Sequence, residues 1–400
     1  MKAVVFHEIG DIRLEEVPDP AIEKPTDAIV RLTASAICGT DLHMVRGTVS
    51  GMAERTILGH EGVGIVEELG PHVRNFKTGD RVVIPSTIAC GYCAYCRAGY
   101  FAQCDNANPN GSHAGTAFYG GPKETGPFQG LQAEKARIPF ANVGLVKLPD
   151  QIRDDQAILL SDIAPTGYFG AKLAEIKPGE TVAVFGCGPV GQFCIASARI
   201  MGAGRIFAVD ETASRLDMAR DQGAEVIDFK KEEPAQIIRE LTGGIGVDRA
   251  IDAVGIDAYS PLSRTAAAAR DGEQAQKKNN PKQETSVRWE AGDAPAQALM
   301  WAIDALAKAG TLAIVGVYPP DFKTFPIGKA MNMNLTIHMG NCNHRKYLPE
   351  LINMAVSGMF DPEKVLTQRE PLVSAIEAYQ AFDQHRSGWM KVKLEPPAAH

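Results

Sequence analysis

From residue 1 to about residue 160 the apolar positions come in short runs divided by turn residues. Ala3-Val4-Val5-Phe6, the run from Ala28 to Thr33, Gly62 to Glu67 and Asp80 to Pro85 are each rich in β-branched side chains, and Val17-Pro18-Asp19-Pro20 separates the first two. Runs of this length and spacing predict an antiparallel, barrel-like domain. From about Leu160 the texture changes. Apolar runs at Val182–Phe185, Ile206–Val209, Ala250–Ala253 and Leu312–Val317 now alternate with helical stretches, which predicts a parallel sheet with helices on both faces. After about Gly328 short strands return, at Leu335–His338 and Lys391–Leu394. The simplest organisation is one domain interrupted by another: 1–163, then 164–327, then 328–400. A polar, poorly periodic stretch at about 258–298 breaks the alternation after Val254-Gly255. A loop of that length inside a compact domain is usually functional or disordered.

The stretch from Thr181 to Asp210 organises the second domain. A β-branched run enters Gly186-Cys187-Gly188-Pro189-Val190-Gly191, a helical run follows, and a second apolar strand ends in Asp210. This is the G-x-G-x-x-G pattern of a dinucleotide-binding turn with its strand, helix and acid in place. Gly186 allows the tight turn, Gly188 lets a pyrophosphate approach the backbone, and Gly191 lets helix and strand pack closely. The helix N-terminus, starting at Pro189 and Val190, offers free N–H groups to phosphate. Asp210 falls where a carboxylate accepts from the adenosine ribose, which favours NAD over NADP. Arg215, five residues on, is a candidate contact along the adenosine; a solvated helix face is its other reading.

Composition narrows the class. Hydrophobic residues make 45% and charged residues 22% of the 400, values ordinary for a soluble globular protein. A net charge of −7 argues against a generic nucleic-acid or anionic-membrane binder. Met1–His7 carries no apolar signal core, and no apolar run approaches the length of a membrane span. A cytoplasmic enzyme is the expectation, and there disulfides are rare, so the eight cysteines need another account.

Four of them supply it. Cys90, Cys93, Cys96 and Cys104 lie in one turn-rich loop. Four thiolates close a tetrahedral zinc shell, so such a metal would be structural; an iron–sulfur cluster uses a similar run. Tyr92 and Tyr95 are expected to pack that loop. Cys187, Cys194 and Cys342 stand alone and read as core residues. Cys38, at the end of an apolar strand, and His60, after the next loop, are a soft and a borderline ligand suited to zinc, although each alone is as readily a structural residue. Thr40 and His43 follow Cys38 closely.

Cys38-Gly39-Thr40-Asp41, Gly59-His60-Glu61, the four-cysteine loop and the glycine turn occur in the order found in medium-chain zinc-dependent alcohol dehydrogenases, and the chain resembles that family from Met1 to its closing Lys391-Val-Lys-Leu. The resemblance implies an α/β chain: a barrel-like (GroES-like) catalytic domain interrupted by a Rossmann, doubly wound parallel-sheet domain, with the active site in the cleft between them. It implies two zinc ions per chain, one catalytic and one structural, with NAD as cofactor. The cysteine that usually completes the catalytic set is absent. Leu160-Ser161-Asp162-Ile163-Ala164-Pro165-Thr166 stands there, similar to the glutathione-independent formaldehyde dehydrogenase branch, in which an aspartate is the third ligand. Asp162 is carried over on that ground; a helix N-cap is the other role open to it. The resemblance also implies Glu61 beside the metal, a proton relay through Thr40 and then His43, Thr166 at the cofactor, and an insert at 258–298 that clasps the adenine end of NAD. Relatives pair across a dimer through the last Rossmann strand, here read as Thr311–Val317, for which an edge covered by the C-terminal segment is the other reading; a homodimer or homotetramer is expected. The implied activity is hydride transfer between NAD and a small alcohol or hydrated aldehyde, formaldehyde among them. A polyol, sugar or amino-alcohol dehydrogenase on the same scaffold and a non-catalytic NAD-binding sensor are the alternatives.

Overall fold

The strand Ala28–Ile37 reads AIVRLTASAI and is buried at all but two positions. Small and β-branched residues let it be covered on both faces. One edge pairs antiparallel with Gly62–Leu69. The other is shared by Lys135–Ile138 along its first half and Val392–Glu395 along its second. Gly62–Leu69 continues to Arg81–Ile84, and that to Val146–Lys147. A separate antiparallel sheet holds Lys2–Glu8 between Asp11–Glu16 and Thr56–Ile57. This is the barrel-like part. The register places Ser35 opposite Gly62, Gly62 opposite Ile84, and Ile37 opposite Val392. Residues just beyond those pairs, at 38, 60–61, 86 and 391, therefore gather at one end of four neighbouring strands.

The second part is a six-stranded parallel sheet in the order Glu225–Asp228, Arg205–Asp210, Thr181–Phe185, Val247–Asp252, Leu306–Ile314, Thr336–Met339. Numbered within the sheet, this is the 3-2-1-4-5-6 order of a doubly wound dinucleotide fold. The first strand shows why both faces are covered. Val182 and Val184 belong to one hydrophobic cluster and Ala183 and Phe185 to another. Alternate residues of a strand point to opposite faces, so a strand of four apolar residues feeds two cores. Each Val or Phe wholly removed from water is worth about 1.5–3 kcal/mol.

The computed structural model of the protein describes residues 1–111, 114–261 and 292–397; most of the polar stretch expected at 258–298 lies outside them. The chain divides into Met1–Phe169 with Asn341–His400, and Gly170–Gly340, against boundaries of 163 and 327 read from the sequence. The second difference has a clear origin. Thr336–Met339 does not begin the return to the barrel. It pairs parallel with Leu306–Ile314 and forms the edge of the Rossmann sheet. Thr311–Val317 is therefore not the last strand of the sheet: residues 311–314 lie in an interior one. Among the described residues no helix is long and apolar enough to cross a membrane.

Candidate functional site

Each member of the Cys38 cluster is delivered by a separate element. Cys38 follows Ile37 and is the N-cap of helix Gly39–Arg46, its backbone N–H donating to Asp41 Oδ2 at 2.9 Å. His60 and Glu61 precede the strand that starts at Gly62. Asp162 lies at the break between helices Asp154–Ser161 and Ile163–Leu173. Ser161 fixes that break to the strand ends: its hydroxyl donates to the Ile84 carbonyl at 2.5 Å and accepts from Gly62 N–H at 3.1 Å. Asp162 Oδ2 then lies 3.7 Å from Cys38 Sγ and 3.3 Å from His60 Nε2. A donor atom of Glu61 completes a group in which every pair is within 4.8 Å.

These separations suit one ion. Around a tetrahedral zinc with ordinary bond lengths, sulfur and oxygen ligands stand about 3.6 Å apart, and nitrogen and oxygen ligands about 3.3 Å apart. One thiolate and one carboxylate would balance a divalent charge. Without that charge the buried set is strained electrostatically. Burial pushes the Cys38 thiol up, against the pull of His60. Burial would lower His60, yet Asp41 and Cys38 hold it well above its usual range. Burial opposes the ionised Asp162, but hydrogen bonds from His344 and His60 keep its carboxyl well below the usual carboxylate range. A divalent cation favours thiolate, neutral imidazole and carboxylate together, so the donor set fits zinc. Asp41 Oδ1 lies 3.2 Å from His60 Nδ1, in position to orient the imidazole.

Two further residues belong here that sequence reasoning missed. Lys391 is fully buried, and its ammonium donates to the Ile37 carbonyl at 2.9 Å and to Glu61 Oε1. Burial raises the Glu61 carboxyl to about 7, with Lys391 pulling the other way. Glu61 Oε2 is buried without a hydrogen-bond partner. His344, which has no second ligand near it in sequence and reads there only as a hydrogen-bonded or exposed histidine, is buried with Nε2 at 2.6 Å from Asp162 Oδ1. Neither residue has a spacing signal, since each meets its partner across more than 180 residues.

The other expected residues are distributed as follows. Thr40 and His43 are three apart on helix Gly39–Arg46, the first half-buried and the second buried, so they share a face. Thr166, expected at the cofactor, stands beside the cluster. Its hydroxyl lies 3.3 Å from Asp162 Oδ1 and 3.1 Å from His344 Nε2, so it also belongs to the carboxylate's surroundings. Asp162 is not an N-cap by its side chain, which turns to the cluster instead. Phe118 packs its ring edge-on to His60 with centroids 6.0 Å apart.

The four-cysteine loop closes on itself. Cys90 and Cys96 sulfurs are 4.0 Å apart, as are those of Cys93 and Cys104, near the spacing of a tetrahedral four-sulfur shell. Backbone N–H groups of Cys90, Tyr92, Cys93 and Cys96 point at the sulfurs, an arrangement that stabilises thiolate. Tyr92 and Tyr95 are exposed rather than packed, at 62% and 47%. Cys187, Cys194 and Cys342 are buried, and all eight cysteines are free thiols.

In the Gly170–Gly340 unit the three glycines of the turn can be tested separately. Gly186 has φ +88, and a Cβ there would come 2.5 Å from Val254 Cγ2. A Cβ on Gly191 would come 1.8 Å from the Gly186 carbonyl oxygen. At Gly188 a Cβ would meet nothing within 4 Å, the open space that a phosphate needs to reach the helix N-terminus at Pro189. Asp210 accepts from Cys187 N–H and from Glu211 and Thr212 N–H, each at 2.8 Å. Arg215 Nη1 lies 3.8 Å from Asp210 Oδ2.

Comparison with known proteins agrees with this geometry. Residues 24–150 match the alcohol dehydrogenase GroES-like domain, and residues 189–273 match the zinc-binding dehydrogenase family. AdhB of Bacillus subtilis, named as a zinc-type alcohol dehydrogenase-like protein, is 37% identical over 99% of this chain and 100% of its own. The alcohol dehydrogenase TADH from Thermus sp. ATN1 superposes with a TM-score of 0.82 at 32% identity, covering 99% of this chain and 100% of its own. The glutathione-independent formaldehyde dehydrogenase of Pseudomonas aeruginosa is 39% identical over 64% of this chain and 66% of its own. Family match, full-length relatives and the Cys38–His60–Asp162 geometry converge: the chain belongs to the zinc-dependent alcohol dehydrogenase family.

Proposed function

We propose that the protein is an NAD-dependent dehydrogenase of small alcohols or hydrated aldehydes, formaldehyde among its substrates, that works at a zinc held by Cys38, His60 and Asp162. The convergence of those three donors, with Glu61 beside them and its other oxygen held by Lys391, is the observation that carries the reading. Bound there, zinc supplies a Lewis acid toward the substrate hydroxyl, and NAD supplies the hydride acceptor. The chain's own residues do the rest. Asp41 orients His60. Phe118 packs edge-on against the imidazole. Thr40 accepts the hydroxyl proton and His43 passes it outward. Gly186, Gly188 and Gly191 shape the turn whose helix N-terminus faces the pyrophosphate, and Asp210 receives the adenosine ribose with Arg215 beside it. Cys90, Cys93, Cys96 and Cys104 hold a second, structural zinc. The edge strand Thr336–Met339, with Met339 exposed at 62%, supports assembly into a homodimer or homotetramer through strand pairing.

Support for the formaldehyde reading comes from Asp162 and from the partial match to the formaldehyde dehydrogenase. A polyol dehydrogenase uses the same scaffold equally well. The test is purified protein with its metal content measured, assayed for NADH formation over formaldehyde with and without glutathione, short alcohols, and vicinal diols. Formaldehyde oxidation without glutathione supports the reading. Diol oxidation alone moves the substrate class to polyols. No reduction of NAD by any of them at full zinc occupancy abandons the enzyme reading in favour of an NAD-binding sensor.

A further inference from the structure

A thiolate offers a metal one atom, whereas a carboxylate offers two. If both oxygens of Asp162 turned to the ion, they would fill the position a substrate needs. The two oxygens have separate surroundings. Oδ2 faces Cys38 Sγ at 3.7 Å and His60 Nε2 at 3.3 Å. Oδ1 faces His344 Nε2 at 2.6 Å, the Ser86 hydroxyl at 3.0 Å and the Thr166 hydroxyl at 3.3 Å. An sp² oxygen has two lone pairs, so three donors leave Oδ1 nothing to give an ion.

His344 is the firmest of the three. It opens helix His344–Val356 and is buried. Its Nδ1 lies 3.2 Å from the Thr87 hydroxyl. With Thr87 donating to Nδ1, the ring proton sits on Nε2 and points at Asp162; the tautomer follows from the network. Ser86 lies 3.1 Å from the same Nε2, and Ser86 N–H donates to the Ser161 carbonyl at 3.2 Å. The ring is thus clamped from the strand end and from its own helix. A hydrogen bond to an ionised acceptor is shorter and about twice as strong as a neutral one.

We propose that His344, backed by Thr87 and Ser86, is a positioning residue that holds Asp162 as a one-oxygen ligand and keeps one metal position open to substrate. The proposal rests on the metal assignment made above and adds to it: exchange of cysteine for aspartate at the third ligand creates the need for a restraint that cysteine never required.

The test loads zinc into the four-cysteine loop and cobalt(II) into the other site, where the intensity of the visible ligand-field bands falls as coordination number rises. Wild-type protein is expected to show the intense four-coordinate bands. H344L should lower them severalfold and weaken metal binding, measured by chelator competition, by about 10–100-fold. H344Q, whose amide N–H can reach the same oxygen, should restore both. Cobalt-loaded D162C should keep the same bands whether or not H344L is added, because a thiolate has no second oxygen to restrain. Wild-type bands and affinity in H344L overturn the proposal, as does an equal loss in D162C/H344L and in H344L. If H344L fails to fold, Ser86→Ala against H344Q carries the comparison, with lowered bands in the first supporting and unchanged bands overturning. Failure of the metal assignment itself looks different: the wild-type bands would then survive Cys38→Ser and Asp162→Ala.

Discussion

The Gly191 α-carbon packs so closely on the Gly186 carbonyl oxygen that a Cβ there would come within 1.8 Å of it. Gly191→Ala must therefore move helix Pro189–Ile200 off its strand. A loss of about 1–3 kcal/mol is expected from such overpacking, seen as a lower denaturation midpoint. Gly188→Ala should do the reverse. Its Cβ meets nothing within 4 Å, so stability should hold while NAD affinity, measured calorimetrically, falls by tenfold or so from the methyl group occupying phosphate space. Equal stability losses in both variants would contradict the division of labour within the turn.

The role proposed for Asp210 is the choice of cofactor. A carboxylate about 4 Å from a phosphate costs roughly 1–4 kcal/mol depending on the local dielectric. Asp210→Asn keeps an acceptor oxygen for the surrounding N–H groups and removes the charge, with Arg215 left 3.8 Å away. The ratio of kcat/KM for NADP over NAD should rise about tenfold or more. An unchanged ratio would remove Asp210 from cofactor choice.

Thr40→Ala tests the relay. Loss of a positioned proton acceptor costs about 10²-fold or more in turnover, while zinc content stays at the wild-type value. Near-wild-type turnover would take Thr40 out of the mechanism.

Cys96→Ser separates the two metal sites. Cys96 Sγ stands 4.0 Å from Cys90 Sγ, and serine cannot replace its thiolate. Zinc measured per chain should fall by one ion, with a lower melting temperature, while the metal at Cys38, His60 and Asp162 persists. Loss of both ions at once would show that the loop also shapes the reactive site.

Asp155 ties the barrel strand Val392–Glu395 to helix Asp154–Ser161. Burial opposes its ionised form, but hydrogen bonds from Lys393 and Arg369 hold the carboxyl below its usual range; Arg369 Nε is 2.8 Å away. A depressed carboxyl stabilises the fold at pH values above the unfolded pKa of about 3.9, and the contribution disappears as pH falls through the lowered value. Denaturation of wild type and Asp155→Asn should differ most at pH 6 and converge under strongly acidic conditions. A difference that persists to the lowest pH would assign the loss to packing instead.

Much of the site was legible because its residues come as local patterns. Cys38 with Thr40, His60 with Glu61, the four cysteines and the three glycines each lie within a few positions of one another. Asp162 was legible only by its place in a familiar order. His344, Lys391 and Ser86 have no such pattern: each reaches the cluster through tertiary packing, from strand ends or a helix start far along the chain. The alternation of strands and helices was equally readable, but not the membership of Thr336–Met339. An edge strand of four residues, none of them fully buried, has the same look in a barrel as at the margin of a parallel sheet, and periodicity cannot tell the two apart.

The meeting of four strand ends at residues 38, 60–61, 86 and 391 also limits how this chain can drift. A strand advances about 3.3 Å per residue and turns its side chains over at every step. Deleting one residue from Ala28–Ile37 would both retract the thiol and aim it at the opposite face. Length changes are therefore tolerable only in connecting segments away from that end, and new substrate preferences have to be acquired by remodelling loops around a reactive centre that is itself locked in register.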